Sequence, residues 1–160
     1  MSREQSSITT GTEAQAQEGR MTRAEVVALF ERRQVALDNL DAAALAADYA
    51  DDCVVDSPTG GTHTGRASVQ SVYEAVFEAF LDQKTTTDHL IIDGNRVAQV
   101  LSIEGTNMGG FLGLPASGKR FTSAAVFVYE LKDGQIVRER RVYDFTGMLT
   151  QIGVLKTKPV

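Results

Sequence analysis

Arg120-Phe121-Thr122-Ser123-Ala124-Ala125-Val126-Phe127-Val128-Tyr129-Glu130-Leu131-Lys132-Asp133-Gly134-Gln135-Ile136-Val137-Arg138-Glu139-Arg140-Arg141-Val142-Tyr143-Asp144 holds two runs rich in β-branched and aromatic residues on either side of an Asp-Gly pair. Alternating polar and apolar side chains mark strands with one buried face, and Asp-Gly suits a two-residue hairpin turn. The stretch predicts an antiparallel pair, Arg120 to Leu131 against Gln135 to Phe145. Two similar runs precede it, Thr85 to Ile92 and Arg96 to Glu104, joined at Asp93-Gly94. Together they predict an antiparallel sheet.

Upstream, the apolar spacing changes from every second residue to every third or fourth. Thr22, with Glu25 three residues later, forms a capping signal for a helix carrying Val26, Val27, Leu29, Phe30 and Leu37 to about Asn39. Asp41 caps an Ala-rich segment through Leu45 and Tyr49, and Cys53-Val54-Val55 reads as a short strand ending at Asp56-Ser57-Pro58. After a Gly/Thr loop, Val69, Val72, Tyr73, Val76, Phe77 and Phe80 form one stripe on a helix from Arg66 to Leu81. Helices first and a meander afterwards predict an α+β domain: a curved antiparallel sheet with three N-terminal helices covering an apolar interior. Residues 1–21 are polar and nearly devoid of apolar side chains, which predicts a disordered tail before a domain spanning 22–160.

The 160 residues, 42% of them apolar, suffice for one core without a metal or disulfide staple. A net charge of -5 with 16 scattered basic residues argues against nucleic acid and anionic membrane as partners and favours a small neutral or amphipathic molecule; the apolar interior expected of the fold makes that a hydrophobic small molecule. The one cysteine, Cys53, excludes an internal disulfide and reads as a small core residue. Two histidines and one cysteine supply no metal-ligand spacing, so no metal is expected. Without a spanning run or a signal-peptide pattern, a cytoplasmic location is expected.

Several segments together resemble the SnoaL-like polyketide cyclases, also called ester cyclases, of the nuclear transport factor 2-like (cystatin-like) superfamily. They are Gly65-Arg66-Ala67, Asp93-Gly94-Asn95-Arg96-Val97, the loop from Gly105 to Lys119, Asp133-Gly134-Gln135-Ile136, and Asp144 to Gly153. The resemblance spans about residues 22–155. It implies a cone-shaped fold with a deep hydrophobic cavity, a homodimer or homotetramer built through the sheet, and no organic cofactor or metal. It further implies an aldol-type ring closure of a polyketide ester, with Asp144 as general acid/base. Asn107 stands where the family commonly has histidine, and Arg140 where it commonly has tryptophan. An epoxide hydrolase of the limonene-epoxide-hydrolase type and a non-catalytic binder of hydrophobic molecules are the alternatives.

Strict alternation puts Ile136, Arg138, Arg140, Val142 and Asp144 on one face of the last strand and Val137, Glu139, Arg141 and Tyr143 on the other. Counting back from a two-residue turn sets Ser123 opposite Asp144, Ala125 opposite Val142 and Phe127 opposite Arg140, a register that a bulge would shift. A desolvated carboxyl group is suited to taking a proton from an activated carbon and returning it to oxygen. The competing reading is that Asp144 caps a helix at Phe145 to Gln151. Arg140 is a candidate to orient a substrate oxygen, equally a surface residue; Asn107 is a candidate oxyanion donor, equally a turn residue. Tyr49, Phe30, Phe80, His89, Ser123, Phe127 and Val142 complete the expected substrate-binding set.

Overall fold

The computed structural model describes residues 19–156 and 158. Its elements are α1 (Arg23–Asp38), α2 (Ala42–Ala47), β1 (Tyr49–Ser57), β2 (Gly61–Thr64), α3 (Arg66–Ala79), β3 (Lys84–Asp93), β4 (Arg96–Thr106), β5 (Arg120–Lys132), β6 (Gln135–Tyr143) and α4 (Phe145–Gln151). Six strands form one sheet in the order β2-β1-β6-β5-β4-β3, so the architecture is α+β as expected.

Local chemistry accounts for the boundaries. At the start of α1, Thr22 Oγ1 accepts from the Glu25 amide while the Glu25 carboxylate accepts from the Thr22 amide, satisfying two donors that have no helical partner. Asp41 caps α2 by accepting from the Ala44 amide. The turn between β5 and β6 has positive φ at both central residues, 51° at Asp133 and 77° at Gly134, and Lys132 pairs with Gln135 as counted.

Two features depart from the sequence reading. The Gly/Thr loop contains β2, which pairs with β1, and β1 itself starts at Tyr49 rather than near Cys53. The sheet is also not wholly antiparallel: β1 runs parallel to β6, with Val54 opposite Arg138 and Asp56 opposite Arg140. Such a pairing joins segments separated by most of the chain, so no local turn signal announces it. Of the segment expected as a tail, residues 1–18 lie outside the described residues. Gly19 carbonyl accepts from the Asp133 amide at 3.2 Å, and Met21 packs on the core.

The helices lie against one face of the sheet. Val26, Leu29 and Phe30 of α1, Leu45 of α2, and Val69, Tyr73 and Phe77 of α3 pack with Val97, Leu101, Phe127 and Tyr129 in the main core. A smaller cluster of Phe80, Phe111, Phe121, Met148 and Ile152 closes the end where α4 folds back over β5. Among the described residues no helix is long and apolar enough to cross a membrane.

Gly134→Ala is expected to destabilise the fold by about 1 kcal/mol, because a Cβ disfavours the positive φ at that position. Urea unfolding should show a lower midpoint with an unchanged slope; a wild-type midpoint would contradict the turn geometry.

Candidate functional site

The register of β6 against β5 decides which side chains enter the cone. Leu131 pairs with Ile136, but Glu130 pairs with Arg138, leaving Val137 as one extra residue in the ladder. Both Ile136 and Glu139, three residues apart, are fully buried as a result. From there inward positions fall on Glu139, Arg141 and Tyr143, whereas Arg138, Arg140 and Val142 face outward and are exposed. The facing pairs become Val126 with Val142, Phe127 with Arg141 and Val128 with Arg140, one residue away from the unbulged count.

These inward residues join a buried polar cluster. Glu139 accepts from Arg141 Nε at 2.7 Å and from Arg141 Nη2 at 3.4 Å, and its Oε2 also accepts from the Tyr49 hydroxyl. Arg33, on α1 between the core residues Phe30 and Leu37, donates to Asp48 at 3.3 Å and to the Leu45 carbonyl at 3.1 Å through Nη1. Its Nη2 donates to the Tyr49 and Tyr73 hydroxyls at 3.2 and 3.4 Å, and those two hydroxyls lie 3.3 Å apart. Tyr129 donates to Gln99 Oε1 at 2.9 Å, and Gln99 donates to Thr87 at 2.8 Å.

Each buried cation has an anion beside it, as desolvation requires. Burial opposes the charge of both arginines. The surrounding Tyr49, Tyr73 and Tyr129 oxygens and Glu139 outweigh it at Arg33, as Glu139 with Tyr73 and Tyr49 does at Arg141, so both are held above the ordinary arginine range. Burial, reinforced by Glu139, pushes the Tyr49 and Tyr129 phenols well up, which keeps them hydrogen-bond donors. Burial also raises the Cys53 thiol, consistent with an inert core residue.

A cavity of about 100 Å³ lies above this cluster. Its walls are largely apolar, with Leu37, Val76, Leu101, Phe111, Phe121 and Met148 among them; Arg33, Tyr73, Gln99, Arg141 and Tyr143 also belong to the lining. The Arg141 side chain is 8% exposed, and its guanidinium carbon lies 4.9 Å from the Tyr73 ring centroid and 5.1 Å from that of Phe127. Two aromatic rings and Glu139 thus fix its orientation. Nε and Nη2 are committed to Glu139, while Nη1 has no hydrogen-bond partner among the described residues. A second depression between α3 and the loop after β4 shares Thr59, Val72, Val76 and Phe111 with the cavity.

The expected site residues separate into four groups. Ser123 and Phe127 line the cavity, and Tyr49 stands behind its wall in contact with Tyr73. Phe30 and Phe80 are core residues, the former edge-on to Tyr129 at 5.0 Å and the latter against Phe111 and Phe121. Asp144, Arg140, Val142 and His89 are exposed and absent from the lining. Asp144 Oδ1 accepts from the Gly147 amide at 2.8 Å, capping α4, which is the second of its two sequence readings. Asn107 is fully buried and absent from the cavity lining; its Nδ2 donates to Ser117 at 3.2 Å and its Oδ1 has no partner among the described residues. The cavity lining has no aspartate, glutamate or histidine among the described residues.

Sequence reasoning passed over Arg33, Tyr73 as a polar group, Glu139, Arg141 and Gln99. A signal existed for Arg33, which interrupts the apolar stripe Val26, Leu29, Phe30, Leu37 at helical spacing. None existed for Glu139 and Arg141 without knowledge of the bulge.

The family model described as SnoaL-like polyketide cyclase matches residues 27–152. Among solved structures, TsrD from Streptomyces laurentii is similar at 24% identity and a TM-score of 0.75, over 84% of this chain and 99% of that one. AclR from Streptomyces galilaeus, a proposed hydroxylase, gives 23% identity and a TM-score of 0.74 over 86% and 87% of the two chains. IdmH from Streptomyces antibioticus, a proposed polyketide cyclase, gives 25% identity and a TM-score of 0.64 over 78% and 95%. No curated protein matches. The likenesses carry the fold, a nuclear transport factor 2-like cone shared with a protein of ketosteroid isomerase-like fold.

Asp144→Ala is expected to destabilise the protein by about 1 kcal/mol through loss of the helix cap, whereas Asp144→Asn should retain most of the wild-type stability. Thermal unfolding of both variants distinguishes them; identical losses would contradict the capping role.

Proposed function

The chain belongs to the SnoaL-like polyketide cyclase family, and from that premise we propose that it closes a ring in a hydrophobic, polyketide-like carbonyl compound held in the cone, by an intramolecular aldol-type step. The observation that carries this reading is Arg141 at the wall of an otherwise largely apolar cavity: an oriented cation whose Nη1 has no partner among the described residues. An aldol closure needs a donor where negative charge develops on a carbonyl oxygen, and a fixed guanidinium in a water-poor site supplies one without reorganising. Tyr73 and Tyr143 line the same cavity, while Phe121, Phe127 and Met148 suit the apolar body of the substrate.

Asp144 has no part in this reading, because its side chain is exposed and engaged at the start of α4. Epoxide hydrolysis by a carboxylate in direct contact with the attacking water is less well supported, since none lines the cavity among the described residues. The same feature favours a second reading, a non-catalytic binder of hydrophobic carbonyl compounds in which Arg141 only anchors the ligand.

Mass-spectrometric turnover of aromatic polyketide esters by wild type, Arg141→Met and Asp144→Asn tests the proposal. Arg141→Met is expected to lower turnover by about a hundredfold or more, the scale for losing one oxyanion donor, with Asp144→Asn close to wild type. Loss in Asp144→Asn with an active Arg141→Met would return the chemistry to Asp144. Binding without any chemical change would select the binder.

A further inference from the structure

Ring closure by the proposed route requires a base, yet no carboxylate or imidazole among the described residues lines the cavity. Behind the wall the structure holds one continuous hydrogen-bonded path to a carboxylate. Tyr73 is at the wall; its hydroxyl lies 3.3 Å from that of Tyr49, which in turn donates to Oε2 of the fully buried Glu139. We propose that Glu139 is the proton store of the reaction, charged and discharged from the cavity through the phenols of Tyr49 and Tyr73.

The donors and acceptors permit this. Each phenol has one hydrogen and two lone pairs. With the Tyr49 hydrogen on Glu139, Tyr49 oxygen can accept from Tyr73 and from Arg33 Nη2. Tyr73 oxygen then accepts from the same Arg33 nitrogen and keeps one lone pair for the cavity. A substrate C–H proton passes to Tyr73 oxygen while the Tyr73 proton moves to Tyr49 and the Tyr49 proton to Glu139. The C–H electron pair becomes the enolate, whose oxygen faces Arg141 Nη1. After the enolate carbon bonds to the second carbonyl carbon, the new alkoxide takes a proton from Tyr73 as the chain runs in reverse and Glu139 returns to its carboxylate. Atoms and charge balance without a co-reactant.

Arg33 is the positioning residue of this path. One nitrogen holds both phenol oxygens, and its charge favours the negative character they acquire as protons move; Asp48 fixes its other arm. Other purely structural arrangements would satisfy Glu139 with Arg141 alone. Here the chain of hydroxyls leads from the acid to the cavity, and all of its members are at or near full burial, where bulk water does not short-circuit it.

This inference rests on the reading that the cavity performs proton transfer on a carbonyl compound. The test is α-proton exchange of 1-tetralone and 2-tetralone in deuterium oxide, followed by NMR, with ligand affinity titrated in parallel for wild type, Tyr73→Phe, Tyr49→Phe and Glu139→Gln. The expected result is exchange by wild type and a loss of about a hundredfold in each variant that folds, the scale of an acid/base contribution, with affinity retained. Tyr73→Phe leaves the Glu139–Arg141 pair untouched and so keeps the test open if Glu139→Gln does not fold. Exchange by Tyr73→Phe at the wild-type rate would overturn the relay and leave the cavity reading intact. Binding without exchange by wild type would overturn the relay in favour of the binder, and neither binding nor exchange would overturn both.

Discussion

Two ion pairs inside the cone, Arg33 with Asp48 and Arg141 with Glu139, constrain the rest of the molecule. Removing a charge from water costs several kcal/mol even after the protein relaxes, so each of these groups is tolerable only with its partner in place and its remaining hydrogen bonds satisfied. The members of the cluster come from separate parts of the chain. Arg33 is on α1, Asp48 ends α2, Tyr49 opens β1, Tyr73 is on α3, and Glu139 and Arg141 are on β6. Satisfying the cluster therefore fixes how the helices seat on the sheet. The parallel pairing of β1 with β6 is part of the same solution, since it brings the Tyr49 hydroxyl to Glu139.

The constraint also shapes the cavity. A core filled to the end with leucine and phenylalanine would leave no donor for a ligand, and a polar core would leave no affinity for an apolar one. Here the polar groups are satisfied mostly by one another, so the space above them remains lined by Leu101, Phe121, Phe127 and Met148. Arg141 Nη1 is the exception, a donor whose orientation is fixed by Glu139 and by the rings of Tyr73 and Phe127. Preorganisation of that kind favours binding where charge develops over binding of a neutral ground state.

Much of the fold was legible because its signals are local. The Thr22 capping box, the stripe from Val69 to Phe77 and the Asp133-Gly134 turn each act over a few residues, and each is found where the pattern put it. The strand β2 and the parallel β1–β6 pairing were not, since Gly61-Thr62-His63-Thr64 has no buried alternation and parallel partners need no turn. The candidate site depended on a single residue. Ile136 and Val137 are chemically near-equivalent, so nothing in the sequence says that Val137 is the extra member of the ladder. That one insertion turns the face that carries Arg140 and Val142 outward and the face that carries Glu139 and Arg141 inward. Asp144, read as the end of the inward face, leaves the strand and caps α4. Arg33 was legible in principle, as a charged residue on an apolar stripe, but Glu31-Arg32-Arg33-Gln34 looks like a solvated face until the packing is known.

A crystal structure of the protein with 2-tetralone bound tests the role of Arg141 most directly. The ketone oxygen is expected within hydrogen-bonding distance of Arg141 Nη1, about 2.7–3.2 Å, with the rings against Phe121, Phe127 and Met148. A ketone oxygen directed at Asp144, or a ligand seated outside the cone with Arg141 unengaged, would contradict it.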